Sequence, residues 1–400
     1  MASLNFFDNY FLLAMAEEIV PQPNFFRSRY FPTGAEDVFA ADKVLTEYRK
    51  GDRKMAAFVS PAARDIAMER IGYEIREYQP AYIALSRLLT LDDLEKRGFG
   101  EALYPGMNKS QRAARLQLRD LQDIDKRIAR REEWMAVQTM LNNGCTMQEY
   151  IDAQTIGDKR QVMFYRGKSE HTFAPAHKWD SPEGDFFGDV RAMCRLLARF
   201  GLPAIDLVLG SLAADFVSND AGTQKLLDNR RMEYGNLEPQ LTQYPGVAFM
   251  GRLNFGGFLL NLFDVNESYE NEDGEDTPYF PARGAMVTAP GCGHMMYGQI
   301  TQIDYGSANY NSYASARVPK FILDQPNDMR CLRLGCRPLA APHNYCPYIY
   351  AADVVGAEQT GFSTTISTPE NTENKTDENT DEEAAKTTSP TKPTADDPVV

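Results

Sequence analysis

Between residues 108 and 142, Ala114, Leu118, Leu121, Ile124 and Ile128 recur at three- and four-residue steps, the period of one helix face. Arg112, Arg115, Arg119, Asp123, Lys126, Arg130 and Glu133 recur with the same period on another face. The stretch contains no Pro or Gly to break it. Asn108 or Ser110 can supply the N-cap oxygen, and Asn143-Gly144 a left-handed stop. The pattern predicts a helix over 109–142, about 50 Å long at 1.5 Å per residue. Its apolar heptads last about three turns before Arg127, Arg131 and Glu132 interrupt them, which predicts a strut lying against a sheet rather than a coiled coil.

Elsewhere the apolar period switches to two or to short unbroken runs. Residues 53–108 read as a β-hairpin excursion: 55–61 is a short strand stopped by Pro61, Ile71, Tyr73 and Ile75 alternate with polar residues, and 81–90 is apolar. Residues 147–153 and 160–166 read as paired strands, and 171–184 as a Pro/Gly-rich loop holding Trp179. A second amphipathic helix spans 185–200, a buried strand 204–210, and further helices 211–219 and 223–233. The runs 247–263 and 279–288 flank Asp264, Glu267, Glu270, Glu272, Asp273, Glu275 and Asp276, which predicts one long hairpin with an acidic tip. Strands return at 313–320 and 329–334, and the ordered part ends near 355. This order predicts a mixed α+β protein with a unit at 184–310 inserted between two halves of another domain.

The two ends differ from the rest. Pro21, Pro23 and Pro32 predict an extended N-terminal arm, to which Phe25, Phe26, Tyr30 and Phe31 give an adhesive aromatic surface. Such an arm forms no core of its own, so it lies either on its own domain or on a neighbouring subunit. Residues 357–400 carry ten acids against three lysines, a charge of −7, half of the whole chain's −14, with Phe362 the one aromatic. That composition predicts a disordered acidic, Thr-rich tail.

Charge narrows the functional classes. A net −14 argues against a surface that grips nucleic acid, because phosphate contacts need a basic patch. No run approaches the eighteen or so apolar residues of a membrane span. The apolar N-terminus lacks the basic region of a secretory signal, and six scattered cysteines suggest reduced thiols in a cytoplasm.

Catalytic signatures are weak. There is no GxSxG, no HExxH, no P-loop and no GxGxxG after a strand. Gly291-Cys292-Gly293-His294 invites a Cys/His catalytic reading, but a hairpin-end turn explains both glycines. Cys331, Cys336, His343 and Cys346 resemble a zinc knuckle in composition, although Cys331 falls in an apparent strand and the first spacing is too long. The acidic loop 264–276 does not follow the EF-hand ligand pattern. No catalytic, cofactor-binding or metal-ligating residue is assigned.

Four stretches, in co-linear order, carry a family resemblance: AFVSP at 57–61, EEWMAVQTML at 132–141, YFPARGAMV at 279–287 and SARVPKFILDQPNDMRCLRLGCRPL at 315–339. The chain resembles the lambda-type phage major capsid protein E family, which has the tailed-phage (Hong Kong 97-type) capsid fold. The resemblance implies an N-terminal arm (1–45), an E-loop hairpin (46–108), a peripheral P-domain (109–183 and 311–356) with spine helix 109–142, and an axial A-domain (184–310). It further implies a structural protein, not an enzyme, that assembles in the host bacterial cytoplasm into hexamers and pentamers of an icosahedral virion head. The head would enclose DNA without sequence-specific binding or a membrane, with scaffolding, portal and decoration proteins as further partners. An encapsulin-like compartment shell and a Cys/His or zinc enzyme are the competing readings.

Overall fold

A computed structural model describes residues 24–41, 43–48, 74–90, 93, 109–150, 156–164, 171–220, 222–223, 244, 246–271, 274–324, 329–343 and 346–356. All of them belong to one unit, Met1–Ala357. The expected strand at 55–61, most of the helix at 223–233 and the acidic tail lie outside the described residues.

Helix α1 (Phe25–Tyr30) and a 3-10 turn (Ala35–Asp37) come first, then strands β1 (Val44–Tyr48), β2 (Glu74–Tyr78) and β3 (Ile83–Leu89). The long helix α2 (Lys109–Asn142) leads into a hairpin of β4 (Gly144–Tyr150) and β5 (Ile156–Met163). Helix α3 (Phe186–Arg199), β6 (Asp206–Gly210) and α4 (Ser211–Asn219) follow. The rest is strand: β7 (Val247–Phe255), β8 (Phe258–Val265), β9 (Ser268–Glu270), β10 (Asp276–Pro278), β11 (Ala285–Thr288) and β12 (Gly293–Tyr297). The last are β13 (Ile300–Ile303), β14 (Tyr310–Tyr313), β15 (Val318–Asp324), β16 (Met329–Cys336), β17 (Pro338–Pro342) and β18 (Tyr348–Ala351).

One five-stranded sheet, ordered β18-β11-β6-β8-β7, is parallel only between β6 and β8. Both of its faces are covered. Alternate residues of a strand point to opposite faces, so Leu207 and Leu209 pack with Val190, Met193 and Leu197 of α3, while Val208 joins the core containing α1 and α2. Gly210 ends β6 where a Cβ would meet the Pro281 carbonyl oxygen at 2.1 Å, so only glycine lets the chain turn directly into α4.

The long helix lies against strands, as its narrow stripe predicted. It packs on β3, β4, β16 and β17, with Leu121, Ile124 and Ile128 buried. Asn143, at φ 52, supplies its left-handed stop and ties the turn to Phe164 O and Tyr348 Oη. Beside the helix, β16 is the middle strand of the sheet β15-β16-β3.

Three expectations are corrected. The proline-flanked arm is not extended throughout: Phe25–Tyr30 is helical, because Pro23 and Pro32 bracket it without entering it. The run 247–263 is itself a hairpin, β7–β8, turning at Gly256 and Gly257, whose φ values of 57° and 88° suit a tight strand-to-strand turn. Glu270 and Asp276 therefore belong to a separate short hairpin, β9–β10, where they pair with each other, and Asp264 sits back in β8.

Candidate functional site

Among the described residues, the seat of α1 is a densely built place, wedged between the long helix and the five-stranded sheet. Phe25, Phe26, Tyr30 and Phe31 are all 1% exposed or less. Phe25 meets Phe263 and Tyr244, and Phe26 stacks on Phe280.

A six-residue helix cannot sustain itself, and this one is capped by the long helix. Glu133 accepts the backbone N–H groups of Phe26 at 2.7 Å and Arg27 at 2.8 Å, satisfying donors that the helix start leaves open. Asn24 Nδ2 donates to Ala129 O at 3.0 Å.

Two arginines of α1 then point in opposite directions. Arg27 Nε lies 3.3 Å from Glu132 on the long helix, and its Nη2 donates to Tyr297 Oη at 3.1 Å. Arg29 holds Asp206 at the start of β6 through Nε–Oδ2 (2.6 Å) and Nη2–Oδ1 (2.8 Å), and Tyr30 Oη and Asn261 Nδ2 donate to the same carboxylate. Glu132 is also gripped by both terminal nitrogens of Arg317, at 2.7 and 3.0 Å, while Arg317 Nε reaches Asp125 at 2.6 Å.

The neighbouring glutamates have opposite electrostatics. Burial alone would raise the Glu132 carboxyl, but Arg317 and Arg27 outweigh it and hold the group below its usual value. Burial raises Glu133 to about 8, with Glu267 adding repulsion, against the opposing pull of the Arg27 and Phe26 N–H groups. Burial pushes Glu267 up to about 7.

The other sequence candidates do not converge. Cys292 is buried, and burial pushes its thiol up to about 12, unsuited to a nucleophile. Gly291, at φ 68°, makes a turn, but one that crosses between two sheets rather than closing a hairpin. His294 faces Asp37 Oδ2 at 2.9 Å and stacks edge-on against His343, with 3.8 Å between ring centroids. Cys331 lies half-buried on β16, whereas Cys336 on the same strand is fully buried against Arg317 and Glu132. His343 stacks on His294, and Cys346 is buried. Among the described residues no group of three His, Cys, Asp or Glu side chains could hold a metal. In the acidic hairpin Glu270, Glu275 and Asp276 are exposed, while Glu267 is half-buried.

No pattern in the sequence marked Glu132, Glu133, Asp206 or Arg317 as a linked set. The one available signal was charge inside apolar stretches, as in EEWMAVQTML and AIDLVLG.

A long strut helix, a doubly covered sheet and an N-terminal segment clamped between them make up the Hong Kong 97-type capsid fold, the architecture of a shell subunit. The sequence profile of the phage major capsid protein E family matches residues 10–349, and the chain belongs to that family. It is similar to the P21 prophage-derived major head protein of Escherichia coli O6:H1 strain CFT073 and to the major capsid protein of Enterobacteria phage P21. Each is 26% identical over 293 residues, covering 70% of this chain and 80% of the relative. The crystal structure of a prophage capsid protein of Escherichia coli CFT073 superposes with a TM-score of 0.59 at 13% identity, covering 86% of this chain and 99% of that one. The chain is thus a phage major capsid protein, a structural component of the virion that assembles with its own copies and not an enzyme. No helix among the described residues is long and apolar enough to cross a membrane.

Proposed function

We propose that this chain forms hexamers and pentamers that close into the icosahedral head of a tailed phage around its DNA. The observation that carries this reading is the set of two-stranded pieces, β1–β2, β4–β5 and β13–β14, that find no further strand among the described residues. An isolated two-stranded hairpin is marginal in water, so such pieces gain stability from neighbours. Identical subunits that exchange elements head to tail make rings that close.

Within that reading, residues 1–45 are the N-terminal arm, 46–108 the E-loop, 109–183 and 311–356 the P-domain, and 184–310 the axial A-domain. The paired roots β1 and β2 support the E-loop, and β18 lends its strand to the edge of the axial sheet. Assembly takes place in the host bacterial cytoplasm, with scaffolding, portal and decoration proteins as partners. The acidic balance fits a wall that encloses DNA without gripping it. The family favours this over the compartment-shell alternative.

Electron micrographs of the purified, overexpressed chain, with light scattering after size exclusion, test the proposal. Closed shells are expected. A stable monomer at every concentration and salt would overturn it.

A further inference from the structure

The long helix covers one face of the β15-β16-β3 sheet, and among the described residues part of the opposite face is open. Directly opposed residues share a face, so the register places Ile322, Cys331 and Leu88 in one outward row and Lys320, Arg333 and Ser86 in another. Leu88 is 57% exposed, Tyr82 43% and Ile322 37%. At the far end the face is occupied by the chain itself: a Cβ on Gly335 would lie 3.3 Å from Ile300 and 3.2 Å from Tyr82 Oη. The open part is therefore an apolar row beside two cations.

Those two cations are an unusual choice. Lys320 and Arg333 stand directly across a strand pair, where like charges destabilise the sheet. Neither forms an ion pair among the described residues, and Arg333 Nε is buried with no hydrogen-bond partner. Burial and Arg333 hold the Lys320 ammonium below its usual value. Asp304 is the acid that acts on it, and its oxygens already accept from Gln302, Asn311 and Tyr313. A ligand that is apolar and negatively charged would relieve both defects at once.

The chain contains one such stretch. Residues 4–20, LNFFDNYFLLAMAEEIV, carry Asp8, Glu17 and Glu18, no Lys or Arg, and four aromatics among many aliphatics. They precede Asn24, which is fastened to the long helix, on the side of the sheet away from the open face. Resting on the shell reading, we propose that the outward face of β15-β16-β3 receives residues 4–20 of a second copy of this chain, the apolar side chains on Leu88 and Ile322 and the carboxylates on Lys320 and Arg333.

The test uses the full chain, co-assembled from isotopically light and heavy copies, with the photo-crosslinker p-benzoylphenylalanine replacing Leu88. The expected product joins this position to the tryptic peptide 1–27, which has no internal Lys or Arg, in mixed light–heavy pairs. In parallel, Lys320→Glu with Arg333→Glu should lower shell yield roughly tenfold without lowering the subunit's melting temperature, since like charges facing each other across an interface reject a partner. Adding Asp8→Lys, Glu17→Lys and Glu18→Lys should restore it. A cross-link within one copy, to the β9–β10 hairpin or to another protein overturns the proposal. So does a charge-reversed variant that assembles as well as wild type, while wild-type shells leave the shell reading standing. A wild-type chain that forms no shells overturns that reading first, and this docking with it.

Discussion

Arg29 and Asp206 are 177 residues apart in sequence and joined by two parallel hydrogen bonds of 2.6 and 2.8 Å. The first residue belongs to the N-terminal segment and the second to the five-stranded sheet. This contact makes the arm helix part of the fold rather than a loose strap on it.

The two partners are not equivalent, since the Arg29 side chain is 24% exposed and that of Asp206 is fully buried. Removing the arginine strands a buried carboxylate, a change that costs about 3–5 kcal/mol. Removing the carboxylate leaves an arginine that can turn to water. Arg29→Ala should therefore destabilise the chain more than Asp206→Ala in urea unfolding, and equal costs would show that Tyr30 and Asn261 alone satisfy Asp206.

Glu132 and Glu133 should give opposite slopes of stability with pH. The Glu132 carboxyl is held below its ordinary value, so its contribution is present above about 4.5 and lost as pH falls through its folded value. Glu133 is raised to about 8, so its contribution is complete below about 4.5 and lost as pH rises toward 8. The urea midpoint of Glu133→Gln should fall less than that of wild type between roughly pH 5 and 8. An unchanged slope would mean that Glu267 or another group carries the effect.

Glycines at two turns should respond differently to alanine. At Gly210 the new Cβ would collide with the backbone oxygens of Pro281 and Ala282, at 2.1 and 2.6 Å. Gly257, at φ 88°, has nothing within 4 Å, so only backbone strain of about 1 kcal/mol opposes the change. Gly210→Ala should yield mostly insoluble chain, and Gly257→Ala a soluble one with a slightly lower melting temperature.

Deleting residues 357–400 should leave shell yield within about twofold of the full chain, because their polar, acidic composition gives them nothing to bury. Electron micrographs and sedimentation of the truncated chain are the measurements. Loss of shells would assign the tail a role in assembly.

Local pattern alone determined much of the architecture. The helix over 109–142, its Asn143 stop, the amphipathic helix near 185–200 and the buried strand before Gly210 all follow from spacing and punctuation that act within a few residues. The aromatic character of 25–31 was equally plain, and so was its need for a surface. The tertiary structure decided which surface. Glu133 reads in sequence as one more member of a solvated helix face, yet it is fully buried, because α1 lies over it and offers two N–H groups as partners. Glu132 reads as an interruption of the apolar stripe, yet Arg317, 185 residues away, makes its burial tolerable. A carboxyl enters a core only with a counter-charge or hydrogen-bond donors to meet it. That pairing depends on three-dimensional neighbours, which no local period encodes.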